Sequence, residues 1–215
     1  MLSLNNFSVS FNNKKILDNI SLEISKGEKV LIHGSSGSGK STLLKCILLF
    51  ESAAVGTVKY NEKVVDEHNV ADFRLNISYI SQKLPYFYDT VDKFIFLPLN
   101  FKINNGLIIT DEQIVQYFDR FSLDIGLLKI NYNSLSDGEK QRICIVQALL
   151  LKRKFMLLDE ITSNLDKKNK GKVVGMICQD INRTVINITH DDFWSDMCTR
   201  KILLEDGKIV EDITK

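Results

Sequence analysis

The chain has 215 residues, with 28 Lys and Arg against 27 Asp and Glu for a net charge of +1, and is 44% hydrophobic and 26% charged. Such a chain buries a sizeable core as one globular unit or as a core with one inserted subdomain, and its balanced charge gives no electrostatic reason to expect nucleic acid as a partner. No apolar run approaches the roughly 18 residues of a membrane span, and the first residues lack a signal-peptide pattern, so a cytosolic chain is expected.

Residues 2 to 33 alternate apolar and polar types in LSLNNFSVSF, ILDNISLEI and KVLIH, with NNKK and SKGE as turns. Three short strands are expected. Phe11, just before NNKK, suits either a small core or a ring stacked on an adenine. GSSGSGKST then follows KVLIH and precedes STLLKCILLF, which is the strand, Gly-rich loop and helix order of a P-loop. Gly34, Gly37 and Gly39, with Ser35, Ser36 and Ser38 between them, let the backbone curl until several N–H groups point inward. The helix starting near Lys40 adds its positive end. A polyphosphate fits there: Lys40 reaches the β- and γ-phosphates, the Ser41 hydroxyl ligates Mg²⁺, and Thr42 bonds the α-phosphate.

VGTVKYNEKVV reads as a hairpin around Asn61 and Glu62, and DFRLNISYISQ ends in a strand closed by Gln82, whose amide can ligate Mg²⁺ or orient water. Both prolines, Pro85 and Pro98, fall in the most aromatic segment, KLPYFYDTVDKFIFLPLNF, which marks a boundary. From Asp111 the pattern is helical, with Ile114, Phe118 and Phe121 on one face, so residues 84–150 are expected to form a helical subdomain inserted into an α/β core of residues 1–83 and 151–215. The aromatics at its entry are either its small core, the better supported reading, or a docking surface.

Ser136 is placed to cap the helix of SDGEKQRICIVQALLLKR, and with the small Gly138 it leaves a second helix N-terminus open to an anion. FMLLDE is an apolar strand ending in Asp159 and Glu160; alternation along a strand sends them in different directions, one to hold metal and the other to activate water. TVINITHDD is a further strand with His190 at its end, and KILLEDGKIVE is a closing hairpin that turns at Asp206 and Gly207. Cys46, Cys144, Cys178 and Cys198 have no CxxC spacing and read as buried thiols.

GSSGSGKST, Gln82, LSDGE at 135–139, FMLLDE, SNLD at 163–166 and His190, in this order along nearly the whole chain, resemble the ATP-binding-cassette (ABC) ATPases. The resemblance implies an α/β P-loop NTPase core, a mixed sheet with helices on both faces, together with an antiparallel β region and an inserted helical subdomain. It implies an Mg²⁺-dependent ATP hydrolase in which two subunits sandwich two ATP molecules, each site joining the P-loop of one to the signature of the other. On that footing Phe11 stacks on adenine, Gln82 senses Mg²⁺ and a transmembrane partner, and Ser136 and Gly138 contact the γ-phosphate across the dimer. Asp159 supports Mg²⁺, Asp166 couples the two sites, and the catalytic residues are Glu160 as general base, His190 on the γ-phosphate, and Lys40.

Three positions depart from the family pattern. LSDGE stands where LSGGQ is usual, placing the Asp137 carboxylate near a γ-phosphate; Ile161 replaces Pro; Phe11 replaces Tyr. LLDEITSNLDKKNK and YISQKLPYFYDTV are also similar to small cassettes that pair with a separate permease and serve iron or metal-stress export. The expected function is thus the ATPase subunit of a membrane transporter, with export slightly favoured, held peripherally on the inner face of the membrane by its permease. A soluble ATP-switched clamp is the alternative, disfavoured by a single cassette without a basic arm. A weakened subunit paired with an active partner is a third reading, suggested by Asp137.

Overall fold

The computed structural model describes residues 1–12, 14–51 and 55–215. The first strands show how the apolar pattern dictates register. Leu2 and Leu4 face inward on even positions of β1 (Leu2–Phe11), whereas Phe7 and Val9 face inward on odd ones. A shift of one position flips every side chain to the other face, so the strand needs a bulge between the two pairs. It occurs at Asn6, with φ 48°, where the pairing with β2 (Lys14–Ile24) slips. The NNKK turn expected between these strands contains Asn13, which lies outside the described residues.

β4 (Val55–Tyr60) and β5 (Lys63–Val64) form the expected hairpin, Asn61 and Glu62 both taking the positive φ that a tight two-residue turn requires. These strands complete an antiparallel sheet in the order β2-β1-β4-β5. A second, six-stranded sheet contains β3 (Lys29–His33), β6 (Ile77–Ile80), β7 (Phe155–Asp159), β8 (Thr184–Ile188), β9 (Arg200–Glu205) and β10 (Lys208–Thr214), in the order β10-β9-β3-β8-β7-β6. Its strands are parallel except β10, which returns from β9 through the Asp206–Gly207 turn.

Burial on both faces explains the unbroken apolar runs of the parallel strands. Val30 and Ile32, Phe155 and Leu157, and Ile186 and Ile188 enter one core with α1 (Lys40–Ile47) and the antiparallel sheet. Leu31, Met156, Leu158 and Val185 enter the other, with the helices that follow β6 and β7. All four cysteines are buried free thiols, as expected.

After the short α2 (Val70–Arg74) and β6, the chain leaves the sheet for the inserted helical subdomain, whose helices are α3 (Val91–Phe96), α4 (Asp111–Arg120) and α5 (Asp137–Leu150). Ile114 and Phe118 are buried along α4, and Phe121 is buried just beyond its end. The aromatic question resolves toward packing for two rings: Phe94 stacks on Tyr132 at 4.3 Å between centroids and meets Phe87 edge-on at 5.4 Å. Phe94→Asp is therefore expected to cost about 5 kcal/mol, since it removes a buried aromatic and strands a carboxylate in an apolar cluster. Denaturant unfolding measures it, and a loss under about 1 kcal/mol would contradict the packing.

α6 (Lys167–Cys178) and α7 (Asp192–Met197) complete the fold. Because β3, β8 and β7 are neighbours and parallel, their carboxyl ends bring residues near 34, 190 and 159 to one sheet edge, where open parallel sheets bind ligands. No helix among the described residues is long and apolar enough to cross a membrane.

Candidate active site

The loop after β3 is shaped by its glycines. Gly34 has φ 145°, and a Cβ there would lie 1.9 Å from the Leu204 carbonyl oxygen of neighbouring β9. Only glycine fits so close an approach. Gly39 caps α1 in the left-handed region and offers no side chain to the helix's first N–H groups, which leaves them available to an anion. The Lys40 ammonium is curled back into the loop, donating to the carbonyls of Gly34 at 2.7 Å and Ser35 at 2.8 Å. Burial pulls its pKa down, against the charges of Glu160 and Asp159.

Asp159 ends β7 buried, and its Oδ1 accepts from the Ser41 hydroxyl at 3.1 Å. Burial raises its pKa, the Ser41 bond opposes this, and the Glu160 charge adds to the rise. Glu160 leaves the strand with φ 51°, its N–H donating to Ile188 O at 2.8 Å. The reversal separates the two carboxylates: Glu160 Oε2 accepts from Gln82 Nε2 at 2.6 Å. Gln82 lies two residues beyond the end of β6 rather than closing that strand.

A cleft of about 370 Å³ joins these groups, lined by Ser36, Gly37 and Gly39 to Thr42 of the loop and by Gln82, Glu160, His190 and Ile16. Ser41, Asp159 and Gln82 present a hydroxyl, a carboxylate and an amide oxygen, the hard donors Mg²⁺ takes beside phosphate. The ion would supply charge neutralisation between phosphate oxygens.

The ABC transporter family model matches residues 17–163. The chain belongs to the ABC transporter ATPases. Among its relatives, the probable iron export ATP-binding protein FetA of Escherichia coli is 37% identical over 195 residues, covering 89% of this cassette and 85% of that protein. The putative hemin import ATP-binding protein HrtA of Staphylococcus aureus (strain MRSA252) is 34% identical over 218 residues, covering 96% of each. A probable ABC transporter ATP-binding/permease protein of Haemophilus influenzae is 31% identical, but the cassette spans only 38% of its length. The structure of the ATP-binding cassette MJ0796, dimeric and bound to ADP and phosphate, superposes with a TM-score of 0.86 at 26% identity, covering all of this chain and 98% of that one. This is an ABC ATPase subunit of the small-cassette type.

Other residues of the cassette singled out in the sequence lie outside the cleft. Phe11 is 41% exposed at the end of β1 and does not line it, whereas Ile16, which carried no signal beyond strand alternation, does. Ser136 caps α5 as expected, in a capping box: its backbone N–H and hydroxyl both donate to Glu139 Oε2, at 2.9 and 2.6 Å. Those bonds hold the Glu139 carboxyl below its usual range. A Cβ on Gly138 would sit 3.1 Å from the Asn164 carbonyl oxygen, so the signature helix and the SNLD loop touch within one chain. Asp166 caps α6, accepting from the Asn169 N–H at 2.9 Å and from its amide at 2.7 Å. Asp137 is exposed at the tip of α5.

Proposed function

We propose that the cassette is the Mg²⁺-dependent ATP-hydrolysing subunit of a membrane transporter, dimerising around ATP on a separate permease. The observation that carries this is the meeting, in one cleft, of the Lys40 loop, Ser41 and the Gln82–Glu160 pair, with the buried Asp159 bonded to Ser41. Gly34 to Thr42 hold the phosphates, with Lys40 leaving its loop carbonyls for the β- and γ-phosphate oxygens. Ser41, Asp159 and Gln82 serve Mg²⁺. Glu160 takes the proton of the attacking water, and His190 faces the γ-phosphate.

Ser136, Gly138 and Asp166 stand apart from this cleft in their own chain, which supports their acting on a second cassette's ATP across a dimer. Phe11 and Ile16 are the apolar groups offered to the adenine. FetA is named for export and HrtA for import, so export is proposed on the likeness of the Gln82 and Asp159 segments to metal-stress exporters alone. The gentlest test is pull-down of the tagged protein from solubilised membranes, followed by an Mg²⁺-dependent ATPase assay; recovery of soluble partners alone would overturn the transport reading.

The permease is assigned to a groove of about 460 Å³ between β6 and the helical subdomain, lined by Tyr79, Ile80, Pro85, Phe94, Leu97 and Phe101. Leu97 and Phe101 are half exposed. The groove wall includes Ser81, the residue before Gln82, so an apolar segment of a polytopic membrane protein seated there would bear on the Gln82–Glu160 contact. Leu97→Glu is expected to abolish co-purification of the permease while leaving ATP affinity within about twofold, since exposed positions tolerate charge. Undiminished co-purification would remove the groove from consideration.

A further inference from the structure

A second, smaller cleft of about 200 Å³ shares Glu160 and His190 with the first and is otherwise polar, with Thr162, Lys170, Thr189 and Asp191 in its wall. Asp191 is its hub. One carboxylate oxygen, Oδ2, accepts from Thr162 Oγ1 at 2.9 Å and forms an ion pair with Lys170 Nζ at 2.9 Å; the other, Oδ1, accepts the Phe193 N–H at 3.2 Å as the cap of α7. The Asp191 N–H donates in turn to Thr189 Oγ1 at 3.1 Å.

These bonds tie the loop after β7 and the first turn of α6 to the loop after β8, about 20 to 30 residues further along the chain. Thr162 is two residues beyond Glu160, Lys170 is four beyond Asp166 on α6, and Asp191 follows His190. The Asp191 side chain is only 10% exposed and that of Lys170 26%, so the pair is shielded from water and stronger than a surface ion pair. His190 itself is exposed, and among the described residues no side chain hydrogen-bonds its ring; its position is set through its neighbour.

We propose that Asp191, with Lys170 as its counter-ion, is a positioning residue that holds the His190 loop in register with Glu160 and with α6, the helix that follows SNLD. The proposal rests on the ATPase reading above for its consequence on turnover, but not for its consequence on structure. Losing the counter-ion leaves a nearly buried carboxylate uncompensated, and the loop shifts to hydrate it. Arginine at 170 would keep the charge and the bond.

The test compares Lys170→Met with Lys170→Arg in the full chain. The Lys170 side chain is partly exposed on α6 and belongs to neither apolar core, so both variants are expected to fold. With only three histidines in the chain, His33, His68 and His190, isotope labelling of histidine resolves each ring by NMR. In Lys170→Met the His190 resonance is expected to shift or broaden while His68 stays in place, and in Lys170→Arg it stays near its original position. In ATPase assays Lys170→Met should lower kcat about tenfold with KM for ATP within about twofold, because the phosphate loop is untouched, and Lys170→Arg should restore it. An unmoved His190 resonance in Lys170→Met overturns the proposal. A moved resonance in a protein that binds ATP without ever hydrolysing it would leave the positioning role standing and refute the hydrolase reading instead.

Discussion

Glu160→Gln is expected to lower ATP turnover by about 10²- to 10⁴-fold while leaving ATP affinity nearly unchanged, the range associated with loss of a positioned general base. The geometry makes this a clean exchange. Glu160 is anchored by its backbone N–H on Ile188 O, and its side chain only accepts from Gln82. A glutamine keeps the size and the accepting oxygen, so the Gln82 contact survives, but its carbonyl cannot take a proton from water. Steady-state ATPase rates beside calorimetric ATP binding measure the two effects separately. A chain whose already low rate did not change on substitution would be a weakened subunit working beside an active partner.

Gly34→Ala should destabilise the fold by about 4 kcal/mol, roughly half from a backbone region closed to side chains and half from overpacking. The added carbon would stand 1.9 Å from a carbonyl oxygen of β9, a rigid strand that has nowhere to move. Gly34 O also accepts from Lys40, so the displaced loop would lose its cradle and ATP affinity would fall with stability. Gly37→Ala is the control: its φ is 82°, but no atom lies within 4 Å of the added carbon, so it keeps the backbone strain without the clash. About 1 kcal/mol is expected there. Equal losses at the two positions, read from denaturant midpoints, would show that the β9 contact is not what forbids a side chain at 34.

Local chemistry was readable where a short segment carries its own constraint. The Asn61–Glu62 and Asp206–Gly207 turns and the Ser136 cap are each decided by neighbours within four residues, whereas the Gly-rich loop, legible by its spacing, owes Gly34 to the Leu204 carbonyl of β9. The β1 bulge at Asn6 was also written in the chain, in the change from even to odd inward positions between Leu4 and Phe7, but strand alternation read as continuous passes over it. Phe87 and Phe94 show the opposite case. An aromatic-rich, Pro-bounded run has the same composition whether its rings pack or dock, and only the placement of Tyr132, far along the chain from both, assigns them to a core.

By itself the sequence determined the succession of strands, the phosphate loop and its helix, the acidic strand end and the membership of a family, because these rest on periodicity, backbone freedom and motif spacing that act over short range. Only the tertiary structure decided the partners: which sheet each N-terminal strand joins, that Ser41 meets Asp159 and Gln82 meets Glu160, that Ile16 rather than Phe11 lines the cleft, and that Lys170 and Thr162 converge on Asp191. The reason is physical. Strand order places β3, β8 and β7 side by side, and contacts across that edge join residues up to about 150 positions apart, whose pairing no local preference encodes.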